Sequence, residues 1–165
     1  MCDTLVIGLG SPLMGDDGLG IVAAQRVHDE WTFAPAVEFV DGGTWGMNLL
    51  PLIESANAVV LVDAIDAGAN PGEIVVLERD DLPMFVAAKL SPHQIDLKEV
   101  LALAAFRDTL PVQTVAIGLQ PAVIEMSAEL SEPVTSAMDG LCSRVVDRLA
   151  AWGHAATPSS VEAHA

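Results

Sequence analysis

Thr4-Leu5-Val6-Ile7-Gly8-Leu9-Gly10-Ser11-Pro12-Leu13-Met14-Gly15-Asp16-Asp17-Gly18-Leu19-Gly20 joins a short apolar run to a glycine-rich turn, two acids and the start of an amphipathic segment. Residues 4–9 stop at Gly10-Ser11-Pro12, the pattern of a buried strand entering a loop. Over residues 19–28, apolar side chains recur at Leu19, Val22, Ala23 and Val27 with a helical period. The stretch therefore predicts a first strand-loop-helix unit with Asp17 in the loop.

Two further apolar runs end on an acid. Residues 37–40 predict a strand closed by Asp41, and Gly42-Gly43-Thr44 a turn; residues 58–62 form an uninterrupted apolar strand closed by Asp63. An unbroken run is expected where both faces of a parallel strand are covered. If these strands run parallel, Asp17, Asp41 and Asp63 share one edge, where the loops leaving the carboxyl ends of an open α/β sheet form its crevice.

The remaining elements complete the pattern. A short helix is expected over residues 45–52, with Pro51 obscuring its end. Asn70-Pro71-Gly72 is a turn, and only residues 64–72 separate Asp63 from a strand at 73–77. A parallel crossover takes about a dozen residues or more, so this strand is expected to be antiparallel to its neighbour at a sheet edge. A loop over 78–90 leads to Ser91-Pro92-His93-Gln94, which reads as a helix start with Ser91 as N-cap and a capping box closed by Gln94. That helix runs to about Phe106, and residues 114–119 form a fifth strand before a mixed loop at 120–130. A last helix from about Ser131 shows Val134, Met138, Leu141, Val145 and Leu149 on one face. Residues 154–165 have no core pattern and are expected to be a disordered tail. The fold expected is one α/β domain over residues 1–153, a twisted, mostly parallel five-stranded sheet with helices on both faces and one antiparallel edge strand.

Composition narrows the function. The chain has 165 residues, 52% of them hydrophobic, enough for one substantial core. Its net charge of −16 disfavours nucleic acid and anionic membrane surfaces as partners, while a cation, a basic peptide or solubility alone would suit it. Cys2 and Cys142 are far apart and form neither a metal-spaced pair nor a disulfide framework, which points to a reducing compartment. With no signal-peptide pattern, and no apolar run near the roughly 18 residues of a membrane span, a cytoplasmic location is expected.

Each candidate residue also has an ordinary structural reading. Gly8-Leu9-Gly10-Ser11-Pro12-Leu13 approaches the dinucleotide fingerprint G-x-G-x-x-G but has leucine at the third glycine, and Asp16 and Asp17 stand where a pyrophosphate would approach. One of Asp16 and Asp17 is expected to complement the dipole of the following helix. Asp63, at the end of an apolar strand, is costly unless paired, solvated or bound to a cation; it could also cap the turn near Gly68, as could Asp66. Asp41 could do no more than bond the backbone of Gly43 or Thr44. His28, His154 and His164 are expected to be solvated. His93, in the first turn of its helix, is disfavoured as imidazolium and keeps a nitrogen free for a metal. Two carboxylates and an imidazole make an oxygen and nitrogen set suited to a divalent first-row ion. H-E-x-x-H, G-x-S-x-G, paired C-x-x-C and a pepsin-type Asp-Thr-Gly are all missing.

Taken in order, the segment Gly8 to Gly20, Asp41-Gly42-Gly43-Thr44, Val62-Asp63-Ala64 and Ser91-Pro92-His93-Gln94 resemble the nickel–iron hydrogenase maturation endopeptidases. The resemblance extends from Thr4 to about Trp152. It implies a protease that removes a C-terminal extension from the hydrogenase large-subunit precursor after nickel insertion. The family's metal-contacting trio falls on Asp17, Asp63 and His93, and Asp17 lies within the family's Glu-or-Asp pattern; Ser11 stands where Asn is usual. The resemblance further implies that nickel is carried by the substrate, with no permanently bound cofactor. Asp17 or Asp63, or nearby Asp41, would activate water as a general base. The alternatives are a noncatalytic nickel-binding escort of the precursor and a nucleotide-binding α/β module.

Overall fold

The computed structural model describes residues 3–44, 48–82 and 95–160. Its strands are β1 (Thr4–Gly8), β2 (Trp31–Ala34), β3 (Glu38–Asp41), β4 (Ala58–Ala64), β5 (Ile74–Glu78), β6 (Gln113–Leu119) and β7 (Ala155–Pro158). The helices are α1 (Leu19–Glu30), α2 (Leu49–Ser55), α3 (Ile95–Phe106) and α4 (Glu132–Ala151), with a 3-10 turn at Gly15–Gly18. Five strands form one sheet in the order β3-β1-β4-β6-β5. All neighbours are parallel except β5, which runs antiparallel to β6 at the edge, as the short connection after Asp63 requires.

Alternation along the strands divides the core into two layers. Leu5 and Ile7 of β1, Val59 and Leu61 of β4 and Ala116 of β6 pack with residues of α2 and α3. Val6, Val60, Val62, Val115 and Ile117 point the other way and pack with α1 and α4. Because both faces are covered, β1 and β4 are buried at every position. Burying one such side chain contributes roughly 1.5–3 kcal/mol, so the central strands hold the sheet edge on which any site must rest.

Pro51 lies in the first turn of α2 rather than at its end. The N–H that proline lacks would have no intrahelical acceptor there, so the position tolerates it. Residues 45–47 and the helix start expected at Ser91-Pro92-His93-Gln94 lie outside the described residues, while α3 ends at Phe106 as expected. The last helix matches its expected inward face, with Ser131 as N-cap and Val134, Met138, Leu141, Val145 and Leu149 buried.

The chain beyond Gly153 requires a correction. Residues 154–160 are not a loose tail: β7 pairs antiparallel with β2 in a small second sheet. His154, expected to be solvated, is buried, with its ring nitrogens 2.7 Å from the Pro35 carbonyl oxygen and 2.9 Å from Thr4 Oγ1. Four residues with little apolar alternation gave no strand signal, and their order comes from pairing with β2 and from the histidine bridge. Replacing His154 with Ala is expected to destabilise the protein by about 1–3 kcal/mol through the loss of buried hydrogen bonds. A urea midpoint indistinguishable from wild type would show that the bridge contributes nothing.

Candidate active site

Asp17 and Asp63 reach the same edge of the sheet from adjacent strands. Gly8 of β1 is in register with Val62 of β4, and the Leu9 N–H donates to the Val62 carbonyl at 2.9 Å, just beyond the last β1 residue. Asp63 follows Val62, and Asp17 lies in the 3-10 turn that leads from β1 into α1. Both side chains are buried. Strand alternation assigns Asp63 to the face of Val59 and Leu61, the one covered by α2 and α3.

Two glycines make this approach possible. Gly10 has φ +105°, and a Cβ there would overlap the Asp17 carbonyl, so only glycine lets the loop fold back onto the aspartate. At Gly20, a Cβ would strike the Val62 carbonyl and sit 2.8 Å from Asp63 Cα, so glycine lets the first turn of α1 lie directly on the end of β4. Asp17 Oδ2 accepts the Ser11 N–H at 2.9 Å. The donor is the backbone N–H, so the contact does not call on the serine side chain.

The companion carboxylate does different work. Asp16 is fully buried and accepts four hydrogen bonds: from the Ser131 N–H at 2.7 Å, the Ser131 hydroxyl at 2.8 Å, the Ala122 N–H at 2.8 Å and the Val123 N–H at 3.0 Å. The expectation that one of the two acids serves the dipole of the next helix is corrected here. The 3-10 turn intervenes, Gly18 is the N-cap of α1, and Asp16 is engaged instead by the N-cap residue of α4. Burial pushes the Asp16 carboxyl up, but the four donors outweigh it and hold the pKa below its ordinary value.

Asp41 stands at the end of β3, exposed, with its Oδ1 accepting the Gly43 N–H at 2.9 Å in the local turn that its sequence context allowed. It lines a groove of about 300 Å³ between β3 and α1 together with Gly8, Ile21, Ala24, His28 and Phe39. Asp63 does not take the turn near Gly68. Asp66 accepts the Gly68 N–H at 3.3 Å, whereas Asp63 Oδ1 accepts the N–H of Ala64 at 2.8 Å. His93 lies outside the described residues, and among the described residues no three His, Cys, Asp or Glu side chains gather to hold a metal. His28 is exposed beside Phe39, as expected. Cys142 is buried in the core, where desolvation pushes its thiol up, so it stays an inert packing group.

In an open α/β sheet the loops leaving the carboxyl ends of the strands form the ligand crevice, and Asp17 and Asp63 both lie at that edge. A model of the hydrogenase maturation protease family matches residues 21–148, and the chain belongs to that family. It is 36% identical to the hydrogenase expression/formation protein HupD of Rhodobacter capsulatus, over 90% of this chain and 72% of the relative. It is 29% identical to the hydrogenase 2 maturation protease of Escherichia coli, over 93% and 94% of the two chains. The solved structure of the hydrogenase maturating endopeptidase HybD from E. coli superposes with a TM-score of 0.88 at 28% identity, covering 97% of this chain and 99% of that one.

The hydrogen bonding of Asp16 had no signal in the sequence, because its donors are more than a hundred positions away. Asp16→Asn is expected to cost on the order of 2–4 kcal/mol, since an amide cannot accept from all four donors. Because the folded pKa is lowered, the stabilisation from Asp16 is fully present above its ordinary value of 3.8 and is lost as pH falls through the lower folded value. Urea midpoints of wild type and Asp16→Asn should therefore converge in acid; a gap independent of pH would contradict an ionised Asp16.

Proposed function

We propose that this protein is an aspartate-dependent endopeptidase that removes the C-terminal extension of a nickel–iron hydrogenase large-subunit precursor after nickel insertion, with the precursor's nickel as recognition mark. The observation that carries this reading is the pair of buried carboxylates, Asp63 at the end of β4 and Asp17 in the turn that follows the neighbouring β1, in a chain of the hydrogenase maturation protease family. Relatives named as a hydrogenase 2 maturation protease and a hydrogenase maturating endopeptidase support the peptidase role.

In this mechanism the metal arrives as part of the substrate, held by precursor thiolates, and the protease carries no resident cofactor. Asp17, Asp63 and His93 complete the metal's surroundings. Two carboxylates offset its divalent charge, and an open oxygen and nitrogen set suits a first-row ion. His93 lies two positions before Ile95, where α3 begins, and α3 packs on the face that alternation assigns to Asp63. The metal so engaged registers the scissile bond, and precursor lacking nickel is not processed. Asp17 or Asp63 takes a proton from the attacking water, with exposed Asp41 as the remaining candidate base. Polarisation of the scissile carbonyl by the substrate's nickel is a second way to promote the same attack. The reaction is placed in the cytoplasm, where distant cysteines such as Cys2 and Cys142 stay reduced.

The test incubates the purified protein with nickel-loaded and nickel-free precursor and follows the mass of the large subunit. Only loaded precursor should shorten, and equal processing of both would remove the metal-reading role. Asp17→Asn, Asp63→Asn and His93→Ala should each slow cleavage by about a hundredfold or more. Asp41→Asn should cost less than tenfold if its carboxylate serves only the Gly43 turn, and a loss as large as that of Asp63→Asn would make it the base. Precursor that binds but never shortens would favour the escort role.

A further inference from the structure

Among the described residues, the loop closed by Asp16 carries exposed apolar side chains on its outer surface. Leu13 is 67% exposed and Met126 88% exposed, and Val123 and Ile124 are also exposed. These four aliphatic side chains are not scattered. Their two segments are joined by hydrogen bonds from the Ser127 N–H to the Leu13 carbonyl at 3.0 Å, the Gly15 N–H to the Ser127 carbonyl at 2.8 Å and the Asp16 N–H to the Val123 carbonyl at 3.0 Å. The four donors to Asp16 fix the same loop from below. A clustered apolar surface on a rigid support, one turn from Asp17, is the form that a docking site takes.

Charge selects the occupant. Neither residues 1–25 nor 108–143, the stretches that contain the two segments, carry a lysine or arginine, and Glu125 and Glu129 are exposed on the loop. A second copy of this chain, at −16, would bring the same acids and be repelled. Nucleic acid and anionic lipid are disfavoured for the same reason. The complementary partner presents apolar side chains flanked by basic ones.

We propose that Leu13, Val123, Ile124 and Met126 are the platform on which the large-subunit precursor docks, receiving an apolar, basically flanked surface beside the cleavage site. This rests on the peptidase reading above. The platform supplies affinity and orientation, while Asp17 and Asp63 act on the reacting groups, so its loss moves KM rather than kcat.

The test measures cleavage of nickel-loaded precursor against precursor concentration. Leu13→Ser/Met126→Ser should raise KM about tenfold, with kcat within about twofold of wild type. Met126→Ser alone, at the more exposed of the two positions, should raise KM in the same direction and keeps the test usable if the double variant folds poorly. Phe106→Ser/Val112→Ser serves as the control. These side chains are 88% and 85% exposed, and Val112 precedes β6 at the amino end of the strand, away from the carboxyl end where Gly118 pairs with Asp63, so KM should not change. Glu125→Lys should raise KM and weaken its dependence on salt. Wild-type KM in both platform variants with cleavage intact would overturn the platform and leave the peptidase reading standing. A wild-type protein that neither binds nor shortens loaded precursor would overturn both.

Discussion

Two adjacent carboxylates buried in one turn are the arrangement on which the rest of this structure depends. A buried carboxylate without donors is costly enough to unfold a domain of ordinary stability. Here the cost of Asp16 is offset by four donors from a loop and a helix start that lie more than a hundred residues downstream. That arrangement fixes the path of the chain from Gly15 to Gly18, and with it the place of Asp17. The neighbouring acid therefore does not have to be satisfied by the same donors and lies at the sheet edge, where it accepts the Ser11 N–H.

The sheet positions the other carboxylate of the candidate site. Parallel pairing of β1 and β4 brings the residue after Val62 level with the loop after Gly8, and the absence of a side chain at Gly20 allows α1 to rest on that point. Alternation then assigns Asp63 to the face covered by α2 and α3 while the surrounding strand positions stay apolar. The acidic edge is thus a consequence of core packing: strands buried on both faces have no polar position until they reach their ends. The hydrogenase maturating endopeptidase HybD from E. coli shares the architecture over nearly the whole chain.

Much of this was legible beforehand because it depends on local patterns. Five strands, the antiparallel edge and the inward face of the last helix follow from apolar runs, connection length and helical period. Asp41 behaved as its short-range alternative foretold, bonding Gly43. The β2–β7 sheet was not legible, since four-residue strands with weak alternation depend on each other and on His154, not on their own sequence. Nor was the difference in hydrogen bonding between Asp16 and Asp17. Side by side in sequence and alike in chemistry, they differ only in which distant groups face them.

The sequence by itself determined the α/β class, the strand ends that carry acids and the family resemblance, because these are properties of neighbours along the chain and of residue order. Tertiary structure alone decided which acid is structural, which residue caps which helix, and that Leu13 and the 123–126 loop form one surface. Those outcomes are set by hydrogen bonds and contacts between segments far apart in the chain, and no periodicity within either segment encodes them.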